Sequence, residues 1–341
     1  MARPAVVRRP LSVVTGAAAG GNRQRWLVLA LVLAVALGLP AARPVVGPYA
    51  YVLQVTTVVF MWIALASSWN IIGGFAGYIS LGHNVFLAVG AYFAAWLLLF
   101  HGVSPFWTFI GAGVVSSALG LVVGTITLRT RGPAFIISTI ALMLIAQILL
   151  DNWDYLGGTN GITLPLLILD DPSLLPVPFY YAMLGTAMGA VLLAYRVRHS
   201  KFGLGLRAIA EDEIRAEMAG IDTRLLKIVA FAVSGFFIGV AGAFWGYSLS
   251  YLRPEIFLTI GVAANMVLMA VIGGRGTIVG PIIGAILIVV FNETAVSKFG
   301  STELNIAVTG TFLVAALLFF PQGIVGTLKG RGWFPRALDW G

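Results

Sequence analysis

The chain has 341 residues, 59% of them hydrophobic and only 10% charged, a balance that excludes an ordinary soluble domain and leaves no hydrophilic block long enough to form a separate one. It contains no cysteine, which excludes disulfides, zinc–thiolate sites and cysteine nucleophiles. The formal net charge of +8 would suggest nucleic acid in a soluble protein; here it reads as orientation in a membrane, and no nucleic-acid partner is expected.

The chain starts with a basic segment, residues 1–26, carrying Arg3, Arg8, Arg9, Arg23 and Arg25. The apolar stretch 27–39 follows, then Pro40 and the small residues Ala41 and Ala42. That order fits a signal peptide, but many more spans follow, so an uncleaved first span is preferred. Further apolar stretches lie at 51–72, 77–100, 106–128, 133–150, 179–195, 228–250, 257–272, 278–292 and 304–320. Several approach the roughly 20 residues a helix needs to cross a bilayer; 278–292 is short enough to be tilted or re-entrant. The expected fold is all-α, a polytopic transmembrane helical bundle of about ten spans. Residues 1–26 form a cytoplasmic N-terminus, 27–328 the transmembrane domain with a cytoplasmic loop at 196–227, and 329–341 a cytoplasmic tail.

Basic residues support that alternation. With the start inside, the inside segments hold 18 of the 21 lysines and arginines; only Arg43, Arg253 and Lys298 fall outside. The loop 151–178 has Asp151, Asp154, Asp170 and Asp171 and no basic residue. The positive-inside rule therefore places both termini and residues 196–227 in the cytoplasm.

Taken in order, the motifs begin at Ile72–Tyr92, IGGFAGYISLGHNVFLAVGAY. Its glycines Gly73, Gly74, Gly77, Gly82 and Gly90 permit close backbone approach or a broken helix. Tight packing is one reading; a discontinuous helix lining a translocation path, with Ser80, His83 and Asn84 as polar groups, is the other. Arg129–Phe135, RTRGPAF, is a basic turn for which lipid phosphates suffice as partners. In Asp151–Ile162, DNWDYLGGTNGI, Trp153 and Tyr155 suit a membrane interface. The segment Lys201–Lys227 is the polar exception in the chain. Leu206, Ala210, Ile214 and Met218 recur at four-residue spacing on one helical face, and Arg207, Glu211 and Arg215 on another, where they pair. Gly220 follows as a cap, since glycine takes the left-handed conformation cheaply. Gly235–Gly239 and Gly242–Gly246 predict close helix crossings. Gly273–Gly284, GGRGTIVGPIIG, repeats the Gly-Gly pair of Gly73–Gly74, which raises an internal inverted repeat, and Arg275 reads as an anchor at the cytoplasmic edge.

Several chemistries are missing. No G-x-x-x-x-G-K-[ST] loop, H-E-x-x-H or G-x-S-x-G is present, so no catalytic residue, metal site or bound cofactor is expected. Glu255, Glu293 and Glu303 fall at span ends, which argues against a proton relay.

The motifs together carry a resemblance. The run from Phe202 to Gly246, with Gly203–Arg207, the acidic Glu211–Glu213 and Ala216–Ile221, resembles the coupling loop and following span of LivM-like permeases of bacterial branched-chain amino acid ABC transporters. GGFAGYISLGH, RTRGPAF, GGTNGI, GGRGTIVGPIIGA and PQGIV are similar to further family motifs in the same order, over about Tyr51–Gly326. The resemblance implies a multi-pass permease of the bacterial inner membrane that moves branched-chain amino acids or a related small polar solute by ATP-driven alternating access. It implies a second, LivH-like permease, two ATPase subunits carrying ATP and Mg, and a periplasmic or lipid-anchored binding protein as partners, with membrane lipids around the bundle. It places ATPase coupling on Arg207, Glu211, Glu213, Glu217 and Gly220. A stand-alone secondary transporter or channel is the alternative, favoured only by the inverted repeat.

Overall fold

A chain this apolar keeps its backbone away from hydrocarbon by satisfying nearly every N–H and C=O within helices. The computed structural model describes residue 27 and residues 30–42, 49–167, 171, 174–300, 303–320 and 323–333. The basic segment 1–26, Arg43, Asp170, Pro321 and the tail from 334 lie outside the described residues. Helix α1 spans Ala30–Ala41. Helix α2, Tyr49–Asn70, runs on through a π-turn at Ile71–Phe75. Then come α3 (Asn84–His101), α4 (Pro105–Thr127), α5 (Pro133–Asp151) and α6 (Pro176–Arg198). Two short helices, α7 (Lys201–Glu211) and α8 (Glu213–Met218), precede α9 (Thr223–Leu249). The chain continues through α10 (Pro254–Phe257), α11 (Ile260–Gly274), α12 (Val279–Phe299), α13 (Glu303–Phe319) and α14 (Gly323–Gly330).

The helical bundle is as expected, but the span count is not. Among the described residues, eight helices rather than ten are long and apolar enough to cross a membrane: α2 to α6, α9, the α10–α11 pair and α12. Helix α1 ends in a 3-10 turn around Pro40, and α13 has 17 residues, so the first and last apolar stretches give shorter helices. The stretch 278–292, expected to be short, continues through Asn292, Glu293 and Thr294 to give 21 helical residues. The apolar run understated it because polar residues extend the same helix.

The turns between spans that were expected on one side do gather at one end of the bundle. At one end the turn after α2, the α4–α5 turn, the α7–α8 segment and the α11–α12 turn converge. There Arg131 pairs with Glu217 at 2.9 Å, and Arg198 donates to the Gly276 carbonyl. At the other end, strand β1 (Ile162–Thr163) pairs antiparallel with β2 (Tyr251–Leu252), joining the loop after α5 to the loop after α9. The Tyr251 hydroxyl donates to the Asn160 carbonyl at 2.6 Å. Gly157, Gly158 and Gly161 take positive φ there, which lets GGTNGI fold into a tight turn over the bundle end.

Helix α9 is the axis of the bundle. Of its most apolar stretch 67% is buried, against 17% for α5. The glycine spacing explains why. A Cβ at Gly239 would overlap Ser116 of α4, one at Gly242 the Leu87 carbonyl of α3, and one at Gly246 would press on Ala91. Serines use the closeness: Ser116 Oγ donates to the Phe86 carbonyl at 3.1 Å and Ser117 Oγ to the Ala232 carbonyl at 2.9 Å. The packing reading of Gly235–Gly246 is therefore correct.

Gly242→Ala should destabilise the protein by about 1–3 kcal/mol, because the new methyl meets backbone that cannot rotate away. Gly185→Ala in α6, where nothing lies within 4 Å, should melt at or above the parent temperature. Thermal unfolding in detergent, followed by tryptophan fluorescence, separates the two.

Candidate functional site

The polar segment folds as two helices, not one. Ser200 caps α7, its hydroxyl accepting from Gly203 N at 3.1 Å. Helix α7 stops at Asp212, whose backbone is extended and whose carboxylate accepts from Ile214 N and Arg215 N at 3.0 and 3.1 Å. A favourable N-cap thus wins over the four-residue periodicity. The expected single face is divided: Leu206 is buried under α7, while Ile214 and Met218 of α8 are 60% and 75% exposed. The expected Arg207–Glu211–Arg215 ladder is broken for the same reason. Arg215 pairs with Asp212 at 3.0 Å, and Arg207 turns back to the Gly203 carbonyl at 3.4 Å. Gly220 ends α8 with φ +83°, and Ile221 N reaches the Ala216 carbonyl at 3.1 Å, the glycine cap the sequence predicts. A groove of about 640 Å³ between α7 and the start of α9 is lined by Leu204, Arg207, Glu211, Ile221 and Leu226.

Beneath α8 lies a buried charge network. Lys227, in the first turns of α9, is only 3% exposed. Its ammonium donates to Glu213 Oε1 at 2.6 Å, to the Tyr78 hydroxyl at 3.1 Å and to the Leu128 carbonyl at 3.5 Å. It also lies 4.7 Å from the Tyr78 ring centroid. Tyr78 donates to Glu213 Oε2. Arg131, from the RTRGPAF turn, reaches Glu213 at 3.3 Å and Glu217 at 2.9 Å, so a carboxylate rather than a lipid phosphate is its partner. Thr223 Oγ1 donates to Glu217 at 2.7 Å. Burial would raise the Glu213 carboxyl, but hydrogen bonds from Lys227 and Tyr78 and the charges of Lys227 and Arg131 outweigh it and hold it below its ordinary value. Burial, then the hydrogen bond to Glu213 and its charge, raises the Tyr78 phenol, which stays neutral.

Ser80, His83 and Asn84 are enclosed, each at most 1% exposed. The Trp69 indole donates to the Ser80 carbonyl at 2.8 Å. His83 Nε2 lies 2.9 Å from Ser234 Oγ, with its ring edge-to-face against Phe86 and Phe231. Asn84 Nδ2 donates to the Phe257 and Thr259 carbonyls, both at 3.1 Å, across the break between α10 and α11. The sequence reading grouped these three but missed Tyr78, Lys227, Arg131 and Asn70. Asn70 Nδ2 donates to the Thr277 carbonyl at 2.8 Å and its Oδ1 accepts from Gly276 N at 2.9 Å. The two Gly-Gly segments therefore meet, with Gly74 too close to Gly276 for any side chain. A cue existed for Lys227, which opens an apolar run where an unpaired ammonium would be costly.

The family model described as branched-chain amino acid transport system / permease component matches residues 51–317. The high-affinity branched-chain amino acid transport system permease protein LivM of Escherichia coli K12 is 30% identical, over 89% of this chain and 75% of that protein. The corresponding LivH of Salmonella typhimurium is 27% identical, over 77% of this chain and 90% of that protein. The ribose import permease protein RbsC of Escherichia coli K12 is 26% identical, over 52% of this chain and 57% of its own length. No solved structure matches.

Lys227→Met should cost about 1–3 kcal/mol, because the largely buried Glu213 carboxylate loses its nearest cation and keeps only Tyr78 and Arg131. The pH dependence follows from the same pair. The native carboxyl lies below its ordinary value of 4.5, so its contribution is complete at neutral pH and lost only as pH falls below 4.5 through the native value. Melting temperatures between pH 7 and 3.5 should hold and then drop in the parent protein. In Lys227→Met the drop should shrink or vanish, because without the ammonium burial pushes the native carboxyl up toward or past its ordinary value and ionisation no longer favours the folded state.

Proposed function

Because the chain belongs to the family of branched-chain amino acid transport permeases, a multi-pass membrane transport component and not an enzyme, we propose that it is the LivM-like permease subunit of an ABC importer. It binds no cofactor itself; ATP and Mg sit on two ATPase subunits that dock against α7 and α8 from the cytoplasm. A second, LivH-like permease completes the path, and an external binding protein delivers the solute. The substrate class is branched-chain amino acids or a related small polar solute, since similarity extends from LivM and LivH to a ribose permease.

The observation that carries this reading is the exposure of Ile214 and Met218 on a short helix otherwise anchored from below by buried charge. An apolar ridge outside the spans asks for a protein partner. Arg207 and Glu211 border the adjacent groove, so an ATPase surface meeting the ridge meets both of them. Glu213, Glu217 and Gly220 hold the ridge in place, the carboxylates through Lys227, Arg131 and Thr223 and the glycine through its cap. The turns between spans at this end carry ten lysines and arginines, from Arg129 to Arg275, whereas the β1–β2 end carries Arg253, so this end reads as the cytoplasmic one. Ser80, His83 and Asn84 belong to the core of the moving bundle, from which a path opens only by rearrangement.

Met218→Glu should abolish co-purification with the ATPase subunits, while the permease reaches the membrane at normal levels. Retained association would overturn the docking assignment, and solute uptake by the chain with no ATPase present would overturn the importer assignment. Orientation is checked separately in this cysteine-free chain. Thr159→Cys should react with an impermeant thiol reagent in intact spheroplasts, and Arg215→Cys only after permeabilisation.

A further inference from the structure

Helix α11 is held at both ends by asparagines that flank a single segment of chain. Asn84 grips its start through the Phe257 and Thr259 carbonyls, and Asn70 grips the turn after its end through Gly276 N and the Thr277 carbonyl. Midway between the two asparagines, Tyr78 is fastened to Glu213 of α8 and to Lys227. The segment itself is closely packed. Ile71, Ile72 and Phe75 are at most 2% exposed, so the chain from Asn70 to Tyr78 has no empty space to move into alone. It begins with the π-turn at Ile71–Phe75, a helical distortion that tends to mark functional sites, and continues as non-helical chain to His83, with Gly77 at φ +78°. A second strap runs in parallel. Arg198, at the end of α6 beside α7, donates to the Gly276 carbonyl and lies 5.8 Å from the Phe75 ring centroid.

We propose that Tyr78, Asn70 and Asn84 are positioning residues that make α11 the helix answering to α8: displacement of the docking helix pulls Tyr78, and the two asparagines pass the movement to both ends of α11. This rests on the reading of α8 as the ATPase contact. The physical claim is narrower than a pathway of spatial neighbours. Each joint is a hydrogen bond from a buried side chain, and each connects a different pair of elements, so the segment and α11 share one set of arrangements. The α11–α12 turn follows because Gly273 and Gly280 pack backbone to backbone, leaving no side chain to absorb the shift.

The test uses the complete transporter, with ATPase subunits and binding protein, reconstituted in liposomes. Tyr78→Phe removes one hydroxyl and keeps the ring. It should leave ATPase co-purification and hydrolysis intact but lower the solute moved per ATP by about tenfold. Asn70→Ala should do the same, and the double variant should be no worse than the poorer single one, because both cut the same link. An unchanged ratio in Tyr78→Phe, or additive losses in the double variant, overturns the proposal. So does loss of ATPase binding in Tyr78→Phe, which would mean that the tyrosine only seats α8. A second readout does not depend on transport or on Asn70→Ala folding. A reporter cysteine at the exposed Arg275, in the α11–α12 turn, should change its labelling rate when ATP is added, and Tyr78→Phe should remove that change. A change that persists in Tyr78→Phe sinks the link. Should Met218→Glu retain the ATPase, the docking assignment fails by itself, whatever Tyr78 does.

Discussion

The structure turns on one ammonium group. Lys227 sits where an unpaired cation would be expelled, and four separate pieces of chain supply what keeps it there: Glu213 from α8, Tyr78 from the turn after α2, the Leu128 carbonyl from the end of α4, and α9 itself. Removing water from such a group costs several kcal/mol, and only good geometry with additional hydrogen bonds offsets it. The pairing therefore does more for specificity than for net stability. It admits one arrangement of α8 over the bundle, because a shift of α8 by a single turn would strand both charges.

The second constraint is steric. Helix α9 can stand at the centre only because its glycines let the backbones of α3 and α4 approach within contact of its own. Nothing hydrophobic drives helices together in a lipid-like environment, so close packing and buried hydroxyl bonds such as those of Ser116 and Ser117 supply the cohesion. The charge network and the glycine stack occupy the same helix at different depths. The start of α9 is tied to the polar segment, while its middle is tied to the core.

Much of this was legible in the residues. Apolar length and the asymmetry of basic residues gave the helical class and the alternation of ends, because both follow from the cost of exposing backbone or charge to hydrocarbon. Gly220 and the spacing Gly235–Gly246 were readable because glycine has few uses in a helix and at its end. Periodicity failed at Asp212. The same four-residue pattern fits one helix or two, and the choice was made by a local side-chain cap. Tyr78, Asn70 and Lys227 were invisible as a group, since their partners lie 135, 207 and 14 residues away and no local pattern encodes such pairing. The span count erred where apolar composition and helical length diverge, at α1 and α13, and the length of α12 was understated for the same reason.

Asp212 both closes α7 and opens α8, so no spare residue lies between them. Such a junction has no slack. Inserting one residue here would turn α8 by about 100° about its axis, carrying Glu213 away from Lys227 and swinging Ile214 and Met218 off their common ridge. The loop after α5 is tied to the bundle between Asp154 and Leu164, by the strand pair and the Tyr251–Asn160 bond, and its remainder up to α6 faces no comparable restriction on length. Variation in length among related chains should accordingly collect at that far end and avoid the boundary between the two short helices.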